Sequence, residues 1–181
     1  MNKKIGDLQG DFSRIASRID FSKIGVEFTE KPVIVGGLAM EFYGLRNCGN
    51  DIDIIICDAD YQKLATMYPE NRGDTWGDLC VEIYGYSFMR SISRLGLDFY
   101  EVGALEFEDI KVISFERLFF MTGAAVRSEP DVQKRIDDFG LALGCIYTHF
   151  RNKDFVENAE RNAAIYEIAP EGTIYGGKYE V

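Results

Sequence analysis

Residues 51–57 read Asp-Ile-Asp-Ile-Ile-Ile-Cys, and this run constrains the fold more than any other segment. Its β-branched composition and its length predict a strand. In a strand successive side chains alternate faces, so Asp51 and Asp53 project to one side while Ile52, Ile54 and Ile56 point to the other. Two carboxylates side by side repel, and each raises the other's pKa unless solvent screens them or a cation neutralises them. Hard oxygen ligands on one face suit Mg²⁺. An isolated Asp-x-Asp is also a common ending of a loop at a solvated strand edge, so the neighbouring sequence has to decide between the two.

That neighbourhood is structured. Val33-Ile34-Val35 follows Pro32 and is cut off by Gly36-Gly37, which predicts a buried strand ending in a turn. Leu38, Ala39, Met40, Phe42 and Tyr43 suit a short helix, closed by Gly44 where a left-handed C-cap is favoured. At such a strand-to-helix junction backbone N–H groups can face phosphate oxygens, and the missing side chains of Gly36 and Gly37 permit close approach. A polar loop at 46–50 then leads into Asp51.

Elsewhere, Leu8, Phe12, Ile15 and Ile19 fall at helical spacing, predicting an amphipathic helix over 7–20 capped by Asp7. Asp58 is placed to cap a helix to about Met67, residues 71–79 read as a loop around Trp76, and 80–93 suit a hairpin. Strands are expected at Leu97–Val102 and Ile110–Ile113, and Ser114 caps a helix carrying Leu118, Phe119 and Met121. Ser128-Glu129-Pro130-Asp131 reads as a capping-box variant opening a helix with Val132, Ile136, Phe139, Leu143, Ile146 and Phe150 on one stripe. A last helix is expected from Asn152 to about Glu167, and Tyr175–Val181 reads as a strand or a frayed tail. The fold class is therefore α/β (α+β), a mixed sheet of about four to six strands flanked by helices, with C-terminal helices.

Bulk properties narrow the chemistry. With 181 residues and 46% hydrophobic residues, a single compact domain with one substantial core is expected, a core over 1–113 with a helical portion over 114–181 packed on it. Thirty acidic against twenty basic residues leave a net charge of −10, which disfavours tight non-specific nucleic-acid binding. The chain has no apolar run near the ~18 residues of a membrane span and no apolar stretch at its start, so a soluble, cytoplasmic protein is expected. Cys48, Cys57, Cys80 and Cys145 form no Cys-x-x-Cys pair and His149 is the only histidine. A Cys/His zinc site and a Ser-His-Asp triad are accordingly disfavoured.

The order strand, Gly-Gly, helix, Gly44, loop, Asp51-x-Asp53 in VIVGGLAMEFYGLRNCGNDIDIII resembles the core motif of the polymerase-β superfamily of nucleotidyltransferases. It is similar above all to the small bacterial members associated with toxin–antitoxin and phage-defence systems. The match covers residues 33–57, with a weaker one to about 140. The resemblance implies a nucleotidyltransferase-like core that moves a nucleoside monophosphate from an NTP co-substrate to a hydroxyl acceptor and releases pyrophosphate. The acceptor is a protein, a small molecule or tRNA, and a cognate antitoxin is an implied partner. It further implies two Mg²⁺ ions, replaceable by Mn²⁺, on Asp51, Asp53 and a third carboxylate on a neighbouring strand, assigned to Asp98 with Glu82 as its rival. Gly36, Gly37 and Arg46 would contact the nucleotide. The chain departs from the family where Gly49 takes a threonine's place, where Arg46 lies five residues before Asp51, and where Met121-Thr122 stands in the position of a frequent lysine. Arg127 is the residue that could compensate for that lysine. These departures make a catalytically inactive nucleotide sensor or regulatory partner the alternative reading.

Overall fold

The computed structural model describes residues 8–75 and 78–150, together with Glu157 and Arg161. The chain divides into two compact units after Leu143, and the architecture below is that of the first. Among the described residues seven strands form one mixed sheet in the order β3-β4-β5-β2-β1-β7-β6. The fold is therefore mixed α and β, as expected from the sequence, with five helices alongside the strands.

The centre of the sheet is built from the most apolar runs. β1 (Val33–Ile34) pairs antiparallel with β2 (Ile52–Ile55) and parallel with β7 (Lys111–Val112), and β2 pairs parallel with β5 (Tyr86–Met89). Val33, Ile34, Ile54, Ile55 and Val112 are fully buried, as strands covered on both faces should be. The β4 strand (Asp78–Ile83) joins β5 through Tyr84 and Gly85, both at positive φ, the backbone of a tight two-residue hairpin turn. One face of this region carries Ile52, Ile54, Val81, Phe88 and Tyr86, and Phe21 packs edgewise on both Tyr86 and Phe88.

Helix α1 (Gly36–Phe42) ends as the sequence requires. Gly44 has φ +70, its N–H donates to Glu41 O and that of Leu45 to Met40 O, both at 2.9 Å, which is the paired closure of a Schellman motif. Helix α4 (Phe115–Ser128) is capped by Ser114, whose hydroxyl accepts from Arg117 N–H at 3.3 Å. Helix α2 (Asp58–Met67) follows β2, but its N-cap is Cys57, and Asp58 pairs instead with Arg90.

Several expectations need correction. Residues 12–18 form two short 3₁₀ turns, Phe12–Arg14 and Ala16–Arg18, because the Asp11 carboxylate accepts from Ser13 N–H and Oγ and pulls the chain into a local turn. Asp7 lies outside the described residues. The expected loop at 71–79 holds β3 (Arg72–Thr75), which pairs with the edge of β4. The expected strand at Leu97–Val102 is a one-turn helix, α3 (Leu97–Tyr100), whose Leu97 and Tyr100 are the buried pair at i and i+3. A short strand β6 (Leu105–Glu106) was not foreseen. Ser128 ends α4 and α5 begins only at Gln133 (Gln133–Phe150). Of the expected stripe, Val132 precedes α5 and is exposed, as are Ile136 and Leu143 within it, while Phe139 stacks on Phe119 and Ala142 beside the stripe is buried. Residues 152–167 lie outside the described region except Glu157 and Arg161, and residues 175–181 lie wholly outside it.

The segment leading into β1 is tied down by a buried carboxylate. Asp60 is fully buried and accepts from Thr29 N–H (2.7 Å), Thr29 Oγ1 (2.8 Å) and Lys63 Nζ (2.7 Å). Burial alone would raise its pKa, but the bonds from Lys63, Thr29 and Cys57 outweigh it and hold the carboxyl at about 2. Asp60→Ala should therefore destabilise the fold by about 2–4 kcal/mol in urea unfolding at pH 7, the range for removing one partner of a buried network. Because the folded pKa lies below the unfolded one, the Asp60 contribution is present above pH ~4 and lost as pH falls towards 2. The gap between wild type and variant should close over that interval.

Candidate active site

The face of the sheet opposite the aromatic cluster floors a cavity of about 530 Å³. The register fixes what projects into it. Asp53 of β2 is the partner of Ser87 on β5, and Ser87 is the partner of Glu82 on β4, so these three side chains form a row across three strands on one face. Asp51 stands just before β2, exposed, on the same side. All four line the cavity, as do Gly36, Gly37 and Arg46.

Gly36 is in the left-handed region, φ +56, and a Cβ there would lie 2.2 Å from Asp53 Oδ2. Both conditions exclude a side chain. The contact is fixed from the backbone as well, since Val35 N–H donates to Asp53 O at 3.1 Å. At Gly37 a Cβ would sit 3.1 Å from Cys48 Sγ and 3.6 Å from Arg46 Nη1, which places the Arg46 guanidinium over the glycine pair.

The opposite wall comes from α4 and α5. Leu118, Met121, Thr122 and Ala125 of α4 line the cavity at i, i+3, i+4 and i+7, one face of the helix, and α5 adds Lys134, Arg135 and Asp138. Two ion pairs hold α5 there. Arg46 makes a bidentate pair with Asp138 at 2.5 and 2.8 Å, and Arg135 donates to Glu129 at 2.8 Å. Among the described residues Lys134 has no ion-pair or hydrogen-bond partner, although its charge acts on Asp53. Burial, then the adjacent Asp51, pushes the Asp53 carboxyl up to about 6, against the opposing pull of Lys134, Arg135 and Arg46.

The structure does not bring every expected residue here. Asp98 is exposed on α3 and lines a separate cavity with Asp58, Arg90 and Glu101, because residues 97–100 coil into a helical turn and leave the sheet. Glu82, its rival, shares Asp53's face, with Ser87 between them. Thr122 lines the cavity, but its hydroxyl donates to Phe119 O at 2.9 Å. Arg127 is exposed and not among the lining residues. Lys134, Arg135, Asp138 and Ser87 were not singled out from the sequence. Their available signal was the spacing Lys134–Asp138 (i, i+4) beside the apolar stripe of α5, and the alternation of Ser87 with Tyr86 and Phe88.

No group of three His, Cys, Asp or Glu side chains converges as a ready-made metal cage among the described residues. The donors that do converge, Asp51 and Asp53, fit Mg²⁺, which keeps several waters and is usually bound through one or two carboxylates plus substrate phosphates. The raised pKa of Asp53 marks a carboxylate whose charge lacks full compensation, which a cation would supply. Comparison of the chain with protein-family models, with curated proteins and with solved structures finds no match.

Two outcomes test this geometry. The folded pKa of Asp53 exceeds the unfolded one, so the carboxyl's contribution is present below pH ~4 and lost as pH rises through 6. In EDTA, Asp53→Asn should leave stability unchanged at pH 4 and raise it by up to about 3 kcal/mol at pH 8, read from urea unfolding at both values. Gly36→Ala should cost about 1–3 kcal/mol, whereas Gly140→Ala on α5, where a Cβ meets nothing within 4 Å, should stabilise by about 0.5–1 kcal/mol.

Proposed function

We propose that the protein is a metal-dependent nucleotidyltransferase that moves a nucleoside monophosphate from an NTP to a hydroxyl acceptor with release of pyrophosphate. The observation that carries this reading is the Asp53 carboxylate pressed against the left-handed, side-chain-free backbone of Gly36, with Asp51 beside it in one large cavity. Asp51 and Asp53 are the residues that would hold Mg²⁺ or Mn²⁺. When bound, the cation neutralises charge on the phosphates and on the departing pyrophosphate.

The chain's own groups account for the rest. Gly36 and Gly37 leave room for a polyphosphate to approach the backbone. Lys134 stands in the cavity wall as the cation expected earlier in the sequence, reached from α5 and not from α4. The acceptor oxygen bonds to the α-phosphorus, the bond to pyrophosphate breaks, and in this reading the hydroxyl proton passes to Glu82, which shares Asp53's face two strands away. Positioning and charge neutralisation supply most of the catalysis in such a transfer.

A second reading, a nucleotide-binding sensor or regulatory partner without turnover, is favoured by one observation: the residue directly opposite Asp53 on the neighbouring strand is Ser87, not a carboxylate. Mg²⁺-dependent pyrophosphate release from each of the four NTPs, with a bacterial lysate supplying acceptors, separates the two. Transfer predicts release that falls by at least about 100-fold in Asp53→Ala and by about 10-fold or more in Lys134→Ala. Release unaffected by Asp53→Ala would overturn the assignment, and a nucleotide-induced rise in melting temperature with no release would establish the sensor.

A further inference from the structure

The cavity has two chemically different halves. Around Asp51 and Asp53 it is charged, whereas Met40, Met89, Ile92, Leu118 and Met121 give it an apolar half. Met89 lies on Asp53's face of the sheet, two residues beyond Ser87, and Leu118 and Met121 descend from one face of α4. Of the polar groups lining the cavity beside it, Thr122 and Asp78 are engaged within the protein, whereas the Ser87 hydroxyl, between Asp53 and Met89 on the same face, has no hydrogen-bond partner among the described residues and, as donor and acceptor alike, does not choose between base edges. Thr122 Oγ1 donates to Phe119 O, and the Asp78 carboxylate accepts from Ser91 Oγ, Ser93 N–H and Arg94 N–H at 2.6–3.0 Å.

We infer that this apolar half receives the nucleobase and does so with little discrimination among the four bases. The inference rests on the nucleotide-binding reading above: a triphosphate at Asp51, Asp53 and Gly36 carries its ring into the same cavity, and the apolar half is the surface available to it. Three of the chain's five methionines line the cavity, and the thioether is an unbranched, polarizable side chain that adapts to aromatic rings of different outline. Strong selectivity between similar ligands requires buried hydrogen-bonding groups left unpaired by the wrong one, worth roughly 10⁴–10⁵-fold, whereas an apolar wall discriminates by only about 10–200-fold. Purines exceed pyrimidines in contact area, so a modest purine preference is the residual selectivity.

The test is calorimetric titration of the full chain, with Mg²⁺, against ATP, GTP, CTP, UTP and base-free tripolyphosphate. The four nucleotides should bind within about tenfold of one another. Met121→Ala should weaken all four by several-fold and leave tripolyphosphate unchanged, while Met121→Leu, which conserves volume, should behave as wild type. One base favoured by more than about 100-fold, or an equal effect of Met121→Ala on tripolyphosphate and on nucleotides, overturns the inference and leaves the nucleotide reading standing. Wild-type protein that binds neither tripolyphosphate nor any nucleotide overturns that reading and this inference together. Thermal unfolding of Met121→Ala, compared with Met121→Leu, distinguishes lost contact from a damaged fold.

Discussion

The close approach of Gly36 to Asp53 organises the structure around it. A side chain of any size at position 36 would displace either the Asp53 carboxylate or the β1–α1 turn, because a Cβ would stand 2.2 Å from Oδ2. Since Val35 N–H is bonded to Asp53 O, the turn cannot retreat without breaking the β1–β2 ladder. A carboxylate is thereby held half-buried at the end of a fully buried sheet centre, in a place where its charge is disfavoured. Such an arrangement stores unfavourable electrostatic energy that a cation would relieve, and a carboxylate so perturbed inside a cavity is a candidate functional group.

The second wall depends on the first. Helix α5 docks with only part of its apolar stripe, since Ile136 and Leu143 are exposed. It docks through Asp138 on Arg46, Arg135 on Glu129, and Phe139 on Phe119. A bidentate arginine–carboxylate pair fixes orientation as well as distance. The consequence is that Lys134, one residue from Arg135 and one turn from Asp138, is presented towards Asp53 with no partner of its own among the described residues. The cavity's one unpaired cation among the described residues thus comes from α5, whose position the ion pairs fix.

What was legible in the sequence was what one segment decides alone. The Asp51–Ile56 alternation, the Gly36-Gly37 break, the Gly44 closure and the Ser114 cap each follow from φ preferences, face alternation or a single hydrogen bond within a few residues. What stayed hidden depends on partners distant in sequence. Leu97-Asp98-Phe99-Tyr100 is apolar enough for a strand, and only the spacing of Leu97 and Tyr100 against the core makes it a helical turn that removes Asp98 from the site. Arg72–Thr75 contains Gly73 and Asp74, poor strand formers, yet pairing with β4 imposes an extended conformation. Likewise, nothing local marks Asp138 as the partner of a residue 92 positions away.

Charge in the cavity bears on the order of binding events. After Arg46 is matched by Asp138, Arg135 by Glu129, and Asp78 by its three donors, the groups left facing the space are Asp51, Asp53 and Glu82 against Lys134. A polyphosphate approaching such a site without counter-ions meets carboxylates that outnumber the one unpaired cation, and in a partly desolvated cavity that repulsion is poorly screened. On the proposed reading, therefore, the divalent cation does more than assist the chemistry. It cancels the local excess of negative charge, and polyphosphate and cation bind as one unit. The chain's overall charge of −10 acts in the same direction at longer range. On the same reading it weighs, among the candidate acceptors, against a long nucleic acid held only by its backbone.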